Sequence, residues 1–320
     1  MKKQLLILGL ILCLRSAAMS QQVSTSPCDV PVVVADYYNQ PVRNLTPADF
    51  SVRLAGKSST IASASLDTGP KRIALVLDAS SNIPEEEWTL ETEMAAELTK
   101  HARANDQFAL FMIGSPPTSG ALSSSSDITA RLHGLRSSRP EGEENERIYD
   151  ALLDAANDLD PPQFGDTIFL FGHNKDSGSK TPLDQIQSLL LKNGLRFFAI
   201  SFADRLAGLP PGSNLNKPLP KEFGSTQLET LSADTGYSFS SFAVHNLAIQ
   251  GQIPLFESFL SDLYTWIAEP YRLRLSTFSF ENGSDLDVSV TEMKARKINS
   301  RGVHYPHLLY SCDKQAPKAP

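Results

Sequence analysis

Hydrophobic positions along the chain follow two rhythms. Toward both ends they alternate with polar ones, as in Ser51-Val52-Arg53-Leu54, Tyr271-Arg272-Leu273-Arg274-Leu275 and Leu286-Asp287-Val288-Ser289-Val290. A period of two belongs to strands with one buried face and one wet face. Between the ends the apolar residues come instead in an unbroken run at 73–77 and in largely apolar stretches at 107–113, 167–171 and 195–202. Runs of that length bounded by turn residues predict strands covered on both sides, as in a parallel sheet flanked by helices. The intervening segments have helical spacing. Residues 84–101 open on Pro84 and three glutamates and close near Lys100, an order that suits the helix dipole. Residues 147–159 set Ile148, Leu152, Leu153, Ala156 and Leu159 on one face. Residues 182–192 end at Asn193-Gly194, a C-terminal cap, and further helices are predicted over 127–135, 226–233 and 253–267. Asp127 and Thr181 read as N-caps.

The alternation of strand and helix over residues 71–267 predicts a doubly wound, mostly parallel, Rossmann-like α/β sheet. Residues 29–66 and 271–312 predict two small antiparallel β segments, each with too few strands to stand alone. Pairing them into one small β-sandwich, with the α/β domain inserted between, would let each bury the other's apolar face. Asn282-Gly283 reads as a hairpin turn joining 271–275 to 286–290, and 303–310 as one more strand.

The 320 residues are 41% hydrophobic, enough for one large domain with appendages or for two. Met1-Lys2-Lys3, the apolar stretch 4–12 and the small residues around Ala18-Met19-Ser20 read as a secretory signal over 1–20. No later stretch is long and apolar enough to span a bilayer, so the expected location is secreted or periplasmic. A lipoprotein reading of Cys13 is disfavoured by bulky Leu12 before it. A net charge of −7 leaves no electrostatic footprint for nucleic acid. Beyond the signal, Cys28 and Cys312 remain, and in an oxidising compartment they read as a disulfide, the alternative being two separate thiols.

Ligands of open α/β sheets gather at the carboxyl ends of the strands. The run 73–77 ends there on Asp78-Ala79-Ser80-Ser81-Asn82. A hydrophobic strand running into Asp-x-Ser-x-Ser resembles the first metal-binding segment of von Willebrand factor type A (VWA) domains. Ile148-Tyr149-Asp150-Ala151-Leu152 and the stretch 228–236 resemble two further phrases of that family. Residues 41–50, from Pro41-Val42 to Asp49-Phe50, are similar to a phrase in a group of secreted acidobacterial VWA-related proteins, so the resemblance covers nearly all the mature chain.

The resemblance implies a rim that binds another protein, centred on a metal-ion-dependent adhesion site. There Mg²⁺ takes oxygen ligands and keeps a position open to a partner's carboxylate. Carried over position by position, Asp78 and Ser80 match the family's ligands. Asn82 stands at the third position, Glu146 where the family has Thr, and His173 where it has Asp. Histidine is a poor ligand for Mg²⁺ and suits a transition metal better. Two readings follow: a rearranged divalent-cation site of Asp78, Ser80, Asn82, Glu146 and His173, or a hydrogen-bonded polar cluster without metal. The three departures weigh toward the second.

Ser177-Gly178-Ser179-Lys180 has Ser-x-x-Lys spacing without the partner motifs of penicillin-interacting enzymes. His304 and His307 lack a cysteine or acidic cluster to complete a zinc set. Tyr37, Tyr38 and Trp266 read as packing residues. The function expected is a secreted or periplasmic binding protein, not an enzyme, using a rim of residues 78–82, 114–126, 141–146 and 173–179. The alternatives are a structural envelope-assembly subunit without metal, or a hydrolase using His173 with Asp176 or a serine from 177–179.

Overall fold

Residues 73–77 are apolar on both faces of the strand they form, so they can lie only where helices cover each side. In the computed structural model β4 (Arg72–Asp78) is buried along its whole length. It lies in the interior of a six-stranded sheet with β5 (Gln107–Ile113), β6 (Ser123–Ser124), β7 (Thr167–Gly172), β8 (Arg196–Phe202) and β9 (Phe239–Phe242). The order is β6-β5-β4-β7-β8-β9, parallel except for the two-residue edge β6. The structure describes residues 28–114, 120–173, 176–202, 227–236, 239–242, 253–276, 280–291 and 298–310. The signal 1–20, the loop 209–221 and Cys312 lie outside the described residues.

Successive side chains of each central strand go to opposite layers. Ile73, Leu75 and Leu77 share a core with α1 (Glu85–Lys100), α2 (Ser125–Ser137) and α6 (Ile253–Ala268). Ala74 and Val76 share the other with α3 (Ile148–Asp158), α4 (Leu183–Asn193) and α5 (Gln227–Asp234). This is the doubly wound arrangement expected from the apolar runs. Among the described residues no helix is long and apolar enough to cross a membrane.

The remaining strands form one curled antiparallel sheet, β12-β1-β10-β3-β2-β11-β13. It comprises β1 (Cys28–Asp36), β2 (Phe50–Leu54), β3 (Lys57–Leu66), β10 (Tyr271–Ser276), β11 (Ser284–Val290), β12 (Ile298–His304) and β13 (Leu308–Leu309). Strands from the two ends of the chain interleave, with β10 lying between β1 and β3. Curling brings Val30, Val32, Val52, Leu273 and Val288 into one core, so the unit is sandwich-like and neither segment closes it alone. The other face of β1, at Val33 and Ala35, packs into the core that holds Leu263, Trp266 and Ile267 of α6. Trp266 ties the joint further: its indole N–H donates to Asn39 O at 3.1 Å and its ring lies 4.8 Å from that of His304. Beneath it the buried Arg196 donates to the carbonyls of Gly165 and Ile267, each at 2.6 Å.

Four expectations change. β10 and β11 are not a hairpin, because β10 pairs with β1 and β3 while β11 pairs with β2 and β13. Gly283 does turn (φ +77°), into a pairing of β11 with the last strand instead. The N-cap of α2 is Ser124, whose hydroxyl accepts from Asp127 N at 3.2 Å. Thr181 is not the cap: its N–H and hydroxyl both donate to Asp150, and Pro182 stands at the N-cap of α4. Tyr37 and Tyr38, expected to pack, are 56% and 77% exposed.

Candidate functional site

The chain leaves β4 at Asp78 and turns at once. Asp78 Oδ1 accepts from Ser80 N at 2.9 Å and from Ser80 Oγ at 2.6 Å, a local bonding pattern that holds the turn shut. Asp78, Ala79 and Ser80 are all completely buried. Three glycines press upon them from elsewhere in the chain. A Cβ on Gly142 would stand 1.9 Å from Ala79 O, one on Gly114 2.8 Å from Ser80 Cα, and one on Gly172 2.8 Å from Asp78 Cβ. The acidic loop 141–146 thereby crosses the turn as a strap. Ser81 N donates to Glu143 O at 3.0 Å, Glu143 N to Gly114 O at 2.5 Å, and the Asn82 amide to Glu144 O.

What Asp78 has left is Oδ2, and it faces a histidine. His173, at the end of β7, places Nδ1 3.7 Å from Asp78 Oδ2 and 3.2 Å from Glu146 Oε1, while Nε2 lies 3.0 Å from Glu87 Oε1. The Glu146 contact has hydrogen-bond geometry; the Glu87 contact is an ion pair without it. Burial opposes the imidazolium, but Glu146, Glu87 and Asp78 outweigh it and lift the His173 pKa to about 10. Glu91, one turn beyond Glu87 on the inner face of α1, accepts from Asp78 N at 2.9 Å. It is fully buried, and burial together with the neighbouring Asp78 and Glu87 carboxylates pushes its pKa well above the usual range. Burial also raises Asp78, against the pull of its Ser80 bonds.

Donor atoms of Asp78, Glu146 and His173 all lie within 4.8 Å of one another, and Ser80 is bonded to Asp78. Asn82 does not join them; it is exposed and bonded to the strap. Sequence reasoning missed Glu87 and Glu91, whose i, i+4 spacing directly after the Asp78 turn was the available signal. It also missed the three glycines. A Mg²⁺ site needs near-octahedral oxygen ligands and bound waters. Here the carboxylate and hydroxyl are without solvent contact, one ligand position points away, and a nitrogen base stands between the acids. The donor set does not fit that ion.

The hydrolase candidates are also engaged. Ser177 Oγ accepts from Glu146 N at 2.9 Å. Ser179 Oγ donates to Asp176 at 2.5 Å and accepts from Tyr149 N at 3.0 Å, so Asp176 and Ser179 serve the start of α3. Among the described residues His173 has no serine partner.

The interior position of β4, the doubly wound layers and the Asp-x-Ser turn at its carboxyl end are the arrangement that the resemblance to VWA domains implies. No protein-family model and no curated protein matches the sequence. Solved structures of similar fold include proximal thread matrix protein 1 from the mussel byssus, with a zinc-occupied metal-ion-dependent adhesion motif (17% identity, 67% of this chain, TM-score 0.47). The match spans 50% of that chain. Others are the conserved hypothetical protein BatB from Bacteroides thetaiotaomicron (12% identity, 62% of this chain and 98% of that one, TM-score 0.43) and a von Willebrand factor type A protein from Catenulispora acidiphila (10% identity, 91% and 76%, TM-score 0.46).

Proposed function

We propose that this is an exported protein-binding module that engages a partner through the rim at the strand carboxyl ends and catalyses nothing. The observation that carries the reading is the state of the rim's chemistry. Its buried acids are paired with His173 or bonded to the Asp78 turn, and its serine hydroxyls are bonded to neighbours, while Glu85, Glu86, Glu141, Glu143 and Glu144 remain exposed around them. Such a surface favours a partner with basic groups, steered by charge. The organisation that goes with this reading is a signal over 1–20, a VWA domain at 71–267, and β segments at 29–66 and 271–312, as in the secreted acidobacterial VWA-related proteins. A Cys28–Cys312 disulfide would lock the two segments together, and Cys28 is fully buried at the start of β1. The test is retention from the native envelope or culture fluid on immobilised protein. Wild type should hold a partner in a salt-sensitive way, and a Glu141→Lys/Glu144→Lys variant should lose it. Equal retention by both would reject the rim.

A second reading, a structural assembly subunit, is favoured by the exposed Tyr37-Tyr38 pair on the turn after β1. It predicts that Tyr37→Ser/Tyr38→Ser abolishes capture while the rim variant does not.

A further inference from the structure

The Asp78 turn lies where this fold would hold a divalent ion, yet its surroundings are arranged around a side chain. Three carboxylates from three separate elements aim at one imidazole: Asp78 from β4, Glu87 from α1 and Glu146 from the loop before α3. Their contacts fall on both ring nitrogens, at 3.2 Å and 3.7 Å on Nδ1 and 3.0 Å on Nε2. A neutral imidazole has one N–H and one lone pair, so one of its nitrogens would turn a lone pair toward a carboxylate oxygen. The doubly protonated ring can donate to Glu146 and presents its charge to Glu87 on the other side. Asp78 Oδ2 is buried, lacks a hydrogen bond among the described residues and faces the ring, where an imidazolium supplies a compensating positive charge. The strap of residues 141–146 and the contacts at Gly114, Gly142 and Gly172 close the turn from the other sides.

We infer that the His173 imidazolium, held by Asp78, Glu87 and Glu146, takes the place of the metal ion in this VWA-type fold. The imidazolium then supplies a positive charge among the three carboxylates, and the stability of the centre is independent of divalent cations. The inference rests on the rim reading only for its functional consequence, which is that partner binding needs no metal bridge. The state of the centre is measured without any partner.

The experiment compares wild type, His173→Ala and His173→Asp by isothermal titration with Mn²⁺, Mg²⁺ and Zn²⁺, and by melting temperature with and without millimolar cation. Wild type should show neither saturable binding nor a shift. Removing the internal charge leaves three carboxylates around a gap, so His173→Asp, which supplies an oxygen ligand, should gain Mn²⁺ affinity by about 100-fold or more and melt higher in its presence. Saturable binding by wild type that disappears in His173→Ala would make His173 a metal ligand and overturn the inference. Cation-independent melting of both variants would overturn it too, because the carboxylates would then need no cation. Should the variants fail to fold, ¹⁵N imidazole spectra of wild type at about pH 8 decide. Two protonated ring nitrogens support the inference, and a neutral tautomer overturns it.

Discussion

Substituting one glycine tests whether the Asp78 turn is closed by the strap. Gly142→Ala adds a Cβ that would stand 1.9 Å from Ala79 O and 2.8 Å from Ala79 C. Both atoms belong to the backbone of a fully buried residue, so no side chain can swing aside to make room. The strap must lift, and three hydrogen bonds go with it: Ser81 N to Glu143 O, Glu143 N to Gly114 O, and the Asn82 amide to Glu144 O. At about 0.5–1.5 kcal/mol each, their loss amounts to about 2–4 kcal/mol, with Asp78 and Ser80 newly exposed to water. The internal control is Gly134→Ala in α2, where an added Cβ meets nothing within 4 Å. That change should stabilise by about 0.5–1 kcal/mol through helix propensity alone. Urea denaturation reads both, and hydrogen exchange at Ser81 reads the strap directly, with faster exchange expected in Gly142→Ala. If Gly142→Ala kept wild-type stability and slow Ser81 exchange, the closed turn would be wrong.

Three further outcomes follow from the joint between the β unit and the α/β unit and from the chain ends. His304, packed on Trp266 and held near about 4 by burial and by the charge of His307, stays neutral in the fold while the unfolded chain takes a proton below its ordinary value of 6.5. Stability should therefore fall as pH drops from 6.5 toward about 4, by at most about 1.4 kcal/mol per pH unit, and His304→Gln should flatten that slope in pH-dependent denaturation. Trp266→Ala removes the indole that joins Asn39, His304 and the α6 core, and should cost about 3–5 kcal/mol, with calorimetry showing whether the two units then melt separately. A thiol assay on denatured, exported protein should find no reactive cysteine if Cys28 and Cys312 are joined, and two if they are not.

Legibility in the sequence followed the range of the physics. The buried strands and amphipathic helices depend on local periodicity, so the layers of the α/β unit and the interior strand ending at Asp78 could be read from composition along the chain. Strand pairing between distant segments was half legible. The alternation in 271–275 and 286–290 correctly marked one-sided strands, but the Asn282-Gly283 turn suggested they pair with each other. Apart from the short β13, their partners are residues more than 200 positions away, and no local signal names them. At the site, Asp78, Ser80, Glu146 and His173 could be placed by position. Glu87 looked like a first-turn acid serving the helix dipole, and its second role exists only because β7 delivers His173 beside it. The glycines at 114, 142 and 172 could not be interpreted, since each is required by atoms from another part of the chain, backbone at Gly114 and Gly142 and the Asp78 side chain at Gly172.

The most direct test of the central claim is a crystal structure of the wild-type protein grown with Mn²⁺, examined for anomalous scattering at the Asp78 turn. The His173 ring should be seated between Glu87 and Glu146, with the 141–146 strap in place and no anomalous peak beside Asp78 Oδ2. A manganese ion bound there, with His173 or Glu146 in its coordination sphere, would contradict it.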